Sequence, residues 1–220
     1  MLVFNLSYHR NATTSFHNYM EQMGFKSMHN VSVTLSKVTG TSNHILTCED
    51  WDEVALTADE FVERYAGDLV KYIRESEFNV FSDNPYPLFY KQLVGEFPDA
   101  KFILFKRDSY KWLHSINTYF GETYTYFRRI LYDSNEDVEY WRKKYEEHNN
   151  SVANYFYDQG IPLLIVDMDD NKDIGRTLND FLEIPDKLKT SGGRRSNLDE
   201  VGCKQGKRLK FPLLNQIKKK

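Results

Sequence analysis

Leu2-Val-Phe-Asn-Leu6 running into Ser7-Tyr-His-Arg-Asn-Ala-Thr-Thr-Ser15 is the stretch that decides the fold. A short apolar strand gives way to a basic turn, and a helix rich in hydroxyls opens at once. Such a unit points several backbone N–H groups, and the positive end of a helix dipole, at one spot suited to a phosphate. Further along, Lys101-Phe-Ile-Leu-Phe105 runs into Lys106-Arg-Asp-Ser-Tyr-Lys-Trp-Leu-His-Ser115 and repeats the pattern. One unit suggests a nucleotide; two suggest a nucleotide phosphorylated at both ends.

Outward from these units, Phe78–Phe81 and Pro162–Val166 read as further short apolar strands. Runs of this kind suit parallel strands buried on both faces. Helical periodicity falls between them. Thr13–Met23 places Phe16, Tyr19, Met20 and Met23 on one face, and Thr57–Arg74 opens with the capping box Thr57-Ala-Asp-Glu60. Asn84 is placed to cap a helix that Pro85 opens. Asn135–Gln159 reads as a long charged helix and Ile174–Leu182 as a short terminal one. Strands alternating with helices predict an α/β fold, a doubly wound parallel sheet flanked by helices in three layers. Between Met28 and Thr47, Val31, Val33 and Leu35 alternate like a strand, although the Ser and Thr content equally suits an excursion near the sheet edge. Residues 1–190 are expected to form one domain, with the basic loop and tail of 191–220 packing on it.

The 220 residues suffice for one good core. A net charge of -3 argues against a non-specific nucleic-acid binder. Cys48 and Cys203 lack disulfide-framework or zinc spacing. No run approaches about 18 apolar residues, and a strand starting at Leu2 leaves no room for a signal peptide. The expectation is a cytoplasmic protein without a membrane span. The Asn-x-Ser/Thr sequences at Asn5, Asn11, Asn30 and Asn149 carry little weight in that setting.

In the first unit Arg10 offers a fixed positive charge, and Thr13, Thr14 and Ser15 offer hydroxyls. The alternative role for Thr13 and Thr14 is merely to cap the first helix. A kinase-type phosphate loop needs G-x-x-x-x-G-K-[ST], and the loop here has neither glycine nor lysine.

His9-Arg-Asn-Ala-Thr-Thr-Ser-Phe16 resembles the 5′-phosphosulfate loop of the sulfotransferases, whose pattern is Pro-Lys/Arg-x-Gly-Thr-Thr-x-hydrophobic. Arg107, with Ser115 eight residues later, resembles their 3′-phosphate motif. Between them Asp83-Asn-Pro-Tyr-Pro-Leu-Phe-Tyr90 and Glu96-Phe-Pro-Asp-Ala-Lys-Phe-Ile-Leu104 look like the corresponding stretch of P-loop-type sulfotransferases, and the likeness runs from Leu2 to about Pro185. Two positions depart from the pattern: His9 stands for the proline and Ala12 for the glycine. An alanine in a turn that needs positive φ is strained by roughly 1 kcal/mol.

The resemblance implies 3′-phosphoadenosine-5′-phosphosulfate as donor, with no metal, and in-line transfer of its sulfuryl group to a hydroxyl or amine. Arg10, Asn11, Ala12, Thr13, Thr14 and Ser15 would hold the 5′ end. Arg107 and Ser115 would hold the 3′-phosphate, with Arg194 and Arg195 closing on it. Arg10 would also stabilise charge on the leaving oxygen, acting electrostatically because a guanidinium stays protonated. The acceptor must lose a proton, and Asp83 and His29 are the candidate bases, ahead of His17 and His114. The acceptor is expected to be a small molecule or carbohydrate, for which Tyr119, Phe120, Tyr124, Tyr126 and Phe127 offer an aromatic floor. A magnesium-dependent kinase of the same fold, or a non-catalytic nucleotide-binding relative, remain as alternatives.

Overall fold

The structure, a computed structural model, describes residues 1–40, 56–120, 130–133, 137–170 and 173–184. Five parallel strands lie in the order β2-β3-β1-β4-β5, with β1 Val3–Asn5, β2 Ser27–Met28, β3 Val80–Phe81, β4 Lys101–Lys106 and β5 Leu163–Asp167. Alternate residues of each strand feed opposite faces, which is why the strands read as unbroken apolar runs. Phe4, Phe81 and Phe102 enter one core cluster, whereas Val3, Val80 and Ile103 enter the other.

The second cluster is roofed by α1 (Thr13–Gln22), through Phe16 and Met20, and by α7 (Ile174–Phe181), through Leu178. The first lies under α2 (Val31–Thr39), α3 (Ala58–Glu75), α4 (Tyr90–Glu96), α5 (Ser109–Phe120) and α6 (Val138–Asp158). The three-layer, doubly wound parallel sheet is thus the one the sequence predicts. The helices after β1 and β4 pack on opposite faces, and β1 and β4 are neighbours, paired Phe4 to Phe102. The crevice outside their carboxyl ends is the switch point where open α/β sheets place ligands.

The α3 capping box forms as expected: Thr57 Oγ1 accepts from the Glu60 amide at 3.3 Å, and the Glu60 carboxylate accepts from the Thr57 amide at 2.8 Å. Two local expectations are corrected. Val31, Val33 and Leu35 lie not in a strand but in α2, because Asn30 accepts from the Val33 amide at 3.0 Å and Leu35 and Val38 are buried one turn apart. The adjoining strand is β2, too short to leave a periodic signature. Asn84 caps nothing: a 3-10 turn, Tyr86–Phe89, precedes α4, and the Asn84 amide is spent elsewhere. Among the described residues no helix is long and apolar enough to cross a membrane. Cys48, Cys203 and the 191–220 segment lie outside the described residues.

Candidate functional site

The chain leaves β1 through a loop held from its first residue. Ser7 Oγ donates to Asn5 Oδ1 at 2.5 Å and accepts from the Phe105 amide on β4 at 2.7 Å. The backbone then turns left-handed twice within three residues, at Arg10 with φ 65° and at Ala12 with φ 55°. Residue 12 therefore does demand the glycine-like conformation, and alanine occupies it at roughly 1 kcal/mol of strain. His9, which replaces the pattern's proline, is 4% exposed and acts as a strut. Its Nδ1 lies 2.9 Å from Asn84 Nδ2 and its Nε2 lies 3.4 Å from the Tyr132 hydroxyl. Its carbonyl accepts from Trp112 Nε1 at 3.0 Å.

Helix α1 starts immediately after Ala12, so no side chain caps it. Its first-turn amides and dipole therefore face the crevice without a local side-chain acceptor. Thr13 is buried and donates to Asp83 Oδ2 at 3.4 Å, while exposed Thr14 places its hydroxyl 3.0 Å from His29 Nε2. Ser15 is half-buried at the same helix end.

Arg107 follows β4 directly. Its backbone amide donates to the Tyr145 hydroxyl at 3.0 Å, and its buried Nε has no hydrogen-bond partner. A buried, unpartnered guanidinium nitrogen is costly, and an anion is the natural acceptor for it. Ser115 lies two turns into α5 and accepts from Arg10 Nε at 3.1 Å. Tyr119, one turn further, lies under the Arg10 guanidinium at 4.1 Å. The two basic segments thus meet at Arg10. Burial lowers the Arg10 pKa, Tyr119 and Asp83 oppose that shift, and the neighbouring charge of Arg107 adds to it. Two guanidiniums that repel one another across a crevice favour a multiply charged anion between them.

The candidate bases also converge. Asp83 follows β3 with φ 71°, accepts from the Asn84 amide at 2.8 Å, and has Oδ2 3.8 Å from His29 Nδ1. The same Nδ1 lies 3.2 Å from Ser82 Oγ. Burial raises the Asp83 pKa, opposed by His29, and burial lowers that of His29, opposed by Asp83. Both shifts favour the uncharged forms. The His17 ring stacks on His29 at 5.4 Å, and its Nδ1 is buried without a partner, so this side chain joins the cluster. His114 stands exposed on α5, outside the cluster. Arg194, Arg195, Tyr124, Tyr126 and Phe127 lie outside the described residues.

Sequence reasoning missed Tyr145 and Trp112. Tyr145 shares a buried stripe of α6 with Trp141, His148, Val152 and Phe156. That spacing signals only a core-facing helix. Among the described residues no group of three or more His, Cys, Asp and Glu could hold a metal ion. A family model described as a sulfotransferase domain matches residues 2–162, a span that contains both basic segments and both candidate bases. No curated protein matches the chain.

Proposed function

Because the chain belongs to the sulfotransferase domain family, we propose that it transfers the sulfuryl group of 3′-phosphoadenosine-5′-phosphosulfate in line to a hydroxyl or amine acceptor. The observation that carries the reading is the meeting of the two basic segments, Arg10 Nε 3.1 Å from Ser115 Oγ with Arg107 beside them. A nucleotide charged at both ends matches that pair of cations better than a singly phosphorylated one.

The donor supplies an activated sulfuryl group on a phosphate leaving group. The amides of Thr13, Thr14 and Ser15, with the Thr hydroxyls, hold the 5′ end at the uncapped start of α1. Arg107 and Ser115 hold the 3′-phosphate, the buried Nε of Arg107 gaining its missing acceptor. Arg10 stays charged and stabilises the negative charge that develops on the leaving oxygen. The acceptor proton goes to the Asp83–His29 pair, whose burial leaves His29 neutral and able to accept it at pH 7. Arg194 and Arg195 complete the 3′ side in this reading. The acceptor is a small molecule or carbohydrate, and the setting is the cytoplasm, which two cysteines without pairing spacing support.

Calorimetry with 3′,5′-diphosphoadenosine and, separately, with ATP and Mg²⁺ tests the donor. The expected result is binding of the diphosphate and weaker binding of ATP. No binding of the diphosphate, or tighter binding of ATP with Mg²⁺, would sink the reading in favour of a kinase.

A further inference from the structure

Tyr145 projects from α6, which neither basic segment includes, yet its hydroxyl touches both. It accepts from the backbone amide of Arg107 at 3.0 Å and donates to Asn11 Oδ1 at 3.0 Å, with the Arg107 carbonyl a second acceptor at 3.3 Å. Asn11 is itself fixed, since its Nδ2 donates to the Tyr8 carbonyl at 3.0 Å and the residue is fully buried. The phenol ring is 1% exposed and lies flat on Trp112, with centroids 4.3 Å apart and planes 9° apart. Trp112 donates in turn to the carbonyl of His9 at 3.0 Å. Tyr145 and its stacked partner therefore reach the β1 loop at residues 9 and 11 and the β4 turn at residue 107.

The sheet alone does not fix the distance between those loops. The β1–β4 pairing ends at Asn5 and Ile103, and the residues proposed to meet phosphates lie several positions beyond it. A loop residue this far past its strand is free to move by an ångström or more unless something else ties it. Besides the Ser7–Phe105 and Arg10–Ser115 bonds, the phenol supplies a buried tie at residues 11 and 107, with its single hydroxyl donating to one loop and accepting from the other.

We propose that Tyr145 is a positioning residue that sets the separation of the two phosphate-binding segments, so that both ends of one 3′,5′-bisphosphorylated nucleotide are engaged at once. This rests on the donor assignment above. A ligand that spans both segments feels their spacing, whereas a ligand held by one segment does not. The advantage of bisphosphate over monophosphate is an effective-concentration gain that an error of about 1 Å erodes.

The test compares 3′,5′-diphosphoadenosine, adenosine 5′-monophosphate and adenosine 3′-monophosphate, each titrated against the native full chain and Tyr145→Phe. Phenylalanine keeps the stacked ring and removes only the hydroxyl. The expected result is bisphosphate affinity about tenfold weaker in the variant, with both monophosphates unchanged within about twofold. Equal weakening of all three ligands marks a merely structural residue and overturns the proposal, as does an unchanged bisphosphate affinity. A native protein that fails to bind the bisphosphate overturns the donor assignment and the tie with it; a native protein that binds while the variant behaves identically overturns the tie alone. Should Tyr145→Phe not fold, Trp112→Phe removes the donor to the His9 carbonyl while keeping an aromatic ring against Tyr145, and is read by the same outcomes.

Discussion

The loop after β1 and the turn after β4 occupy equivalent places on neighbouring strands, but they are built differently. The β1 loop is left-handed at two non-glycine residues and is pinned by buried partners from distant parts of the chain: Asn84, Trp112, Tyr132 and Tyr145. The β4 turn passes straight into α5; it shares Tyr145 with the β1 loop as a buried partner at Arg107, and charges at the surface hold the residues on either side of it. Asp169 accepts from the Asp108 amide at 2.8 Å and pairs with Lys111 at 2.8 Å, and Asp167 lies 3.7 Å from Lys106. Those bonds hold the Asp169 carboxyl below its usual range. Exposed pairs of this kind are worth little individually. The difference suggests a division of labour in which the rigid loop faces the reacting end of the donor and the looser turn faces the end that only needs to be held. Strain and long-range buried hydrogen bonds are what preorganise a site.

The largest expected effect breaks that division if it is wrong. Arg10→Ala should reduce kcat by about 10²- to 10³-fold with a modest change in diphosphoadenosine affinity. Arg107→Ala should do the reverse, weakening that affinity by roughly 10- to 100-fold as a charge-assisted hydrogen bond is lost. Steady-state kinetics and calorimetry on the two variants separate these outcomes. Full turnover in Arg10→Ala would refute the electrostatic role, and matching profiles in both variants would erase the distinction between the loops.

The acid side of the stability curve sharpens the contrast next. His148 donates from Nε2 to the Leu6 carbonyl at 2.8 Å and stacks on Tyr8 at 4.0 Å, at the base of the β1 loop. Burial pushes its pKa down to about 4 from an ordinary 6.5. The unfolded chain therefore binds the proton more readily, so His148 imposes no penalty above pH 6.5 and a growing one as pH falls from 6.5 towards 4. The full effect is about 3 kcal/mol, or a melting temperature roughly 6–12 °C lower for a chain of this size. His148→Gln cannot take up that proton. Thermal melts at pH 7 and pH 4.5 should show a smaller acid loss in the variant than in the native protein. Equal losses would remove His148 as the titrating group beneath the β1 loop.

How much of this could be read from sequence follows the same split. The β4 unit was legible almost whole, because a six-residue apolar strand, Arg107 and a helix in register obey local rules. The β1 unit was legible as strand, loop and helix, and its residue types marked Arg10, Thr13 and Thr14. What the sequence could not carry was the closure: Arg10 on Ser115, His29 beside Asp83, Tyr145 on Asn11. Those contacts join residues many positions apart, and they are set by which face of the sheet each helix covers. The misreading of Val31–Leu35 as a possible strand has a different cause. Over five residues an alternating pattern and a helical one share most of their apolar positions, and the deciding signals, Asn30 and Gly40, lie outside that window.

The smallest expected effect concerns the loop's strain itself. Ala12 sits at φ 55° and ψ 24° with its helix uncapped by any side chain. Left-handed backbone costs an alanine about 1–2 kcal/mol relative to its preferred regions, and glycine adopts it freely. Glycine also gives the unfolded chain more freedom, which returns roughly 0.4–1 kcal/mol of that gain. Ala12→Gly should therefore stabilise the fold by no more than about 1.6 kcal/mol, read as a higher midpoint in urea with an unchanged slope. The buried ties at His9, Asn11 and Thr13 flank residue 12 on both sides, so they hold the turn whichever residue occupies it. Diphosphoadenosine affinity should accordingly change by less than about threefold. A large gain in affinity with glycine would mean that alanine distorts the loop despite those ties. The β1 loop would then be no better fixed than the β4 turn.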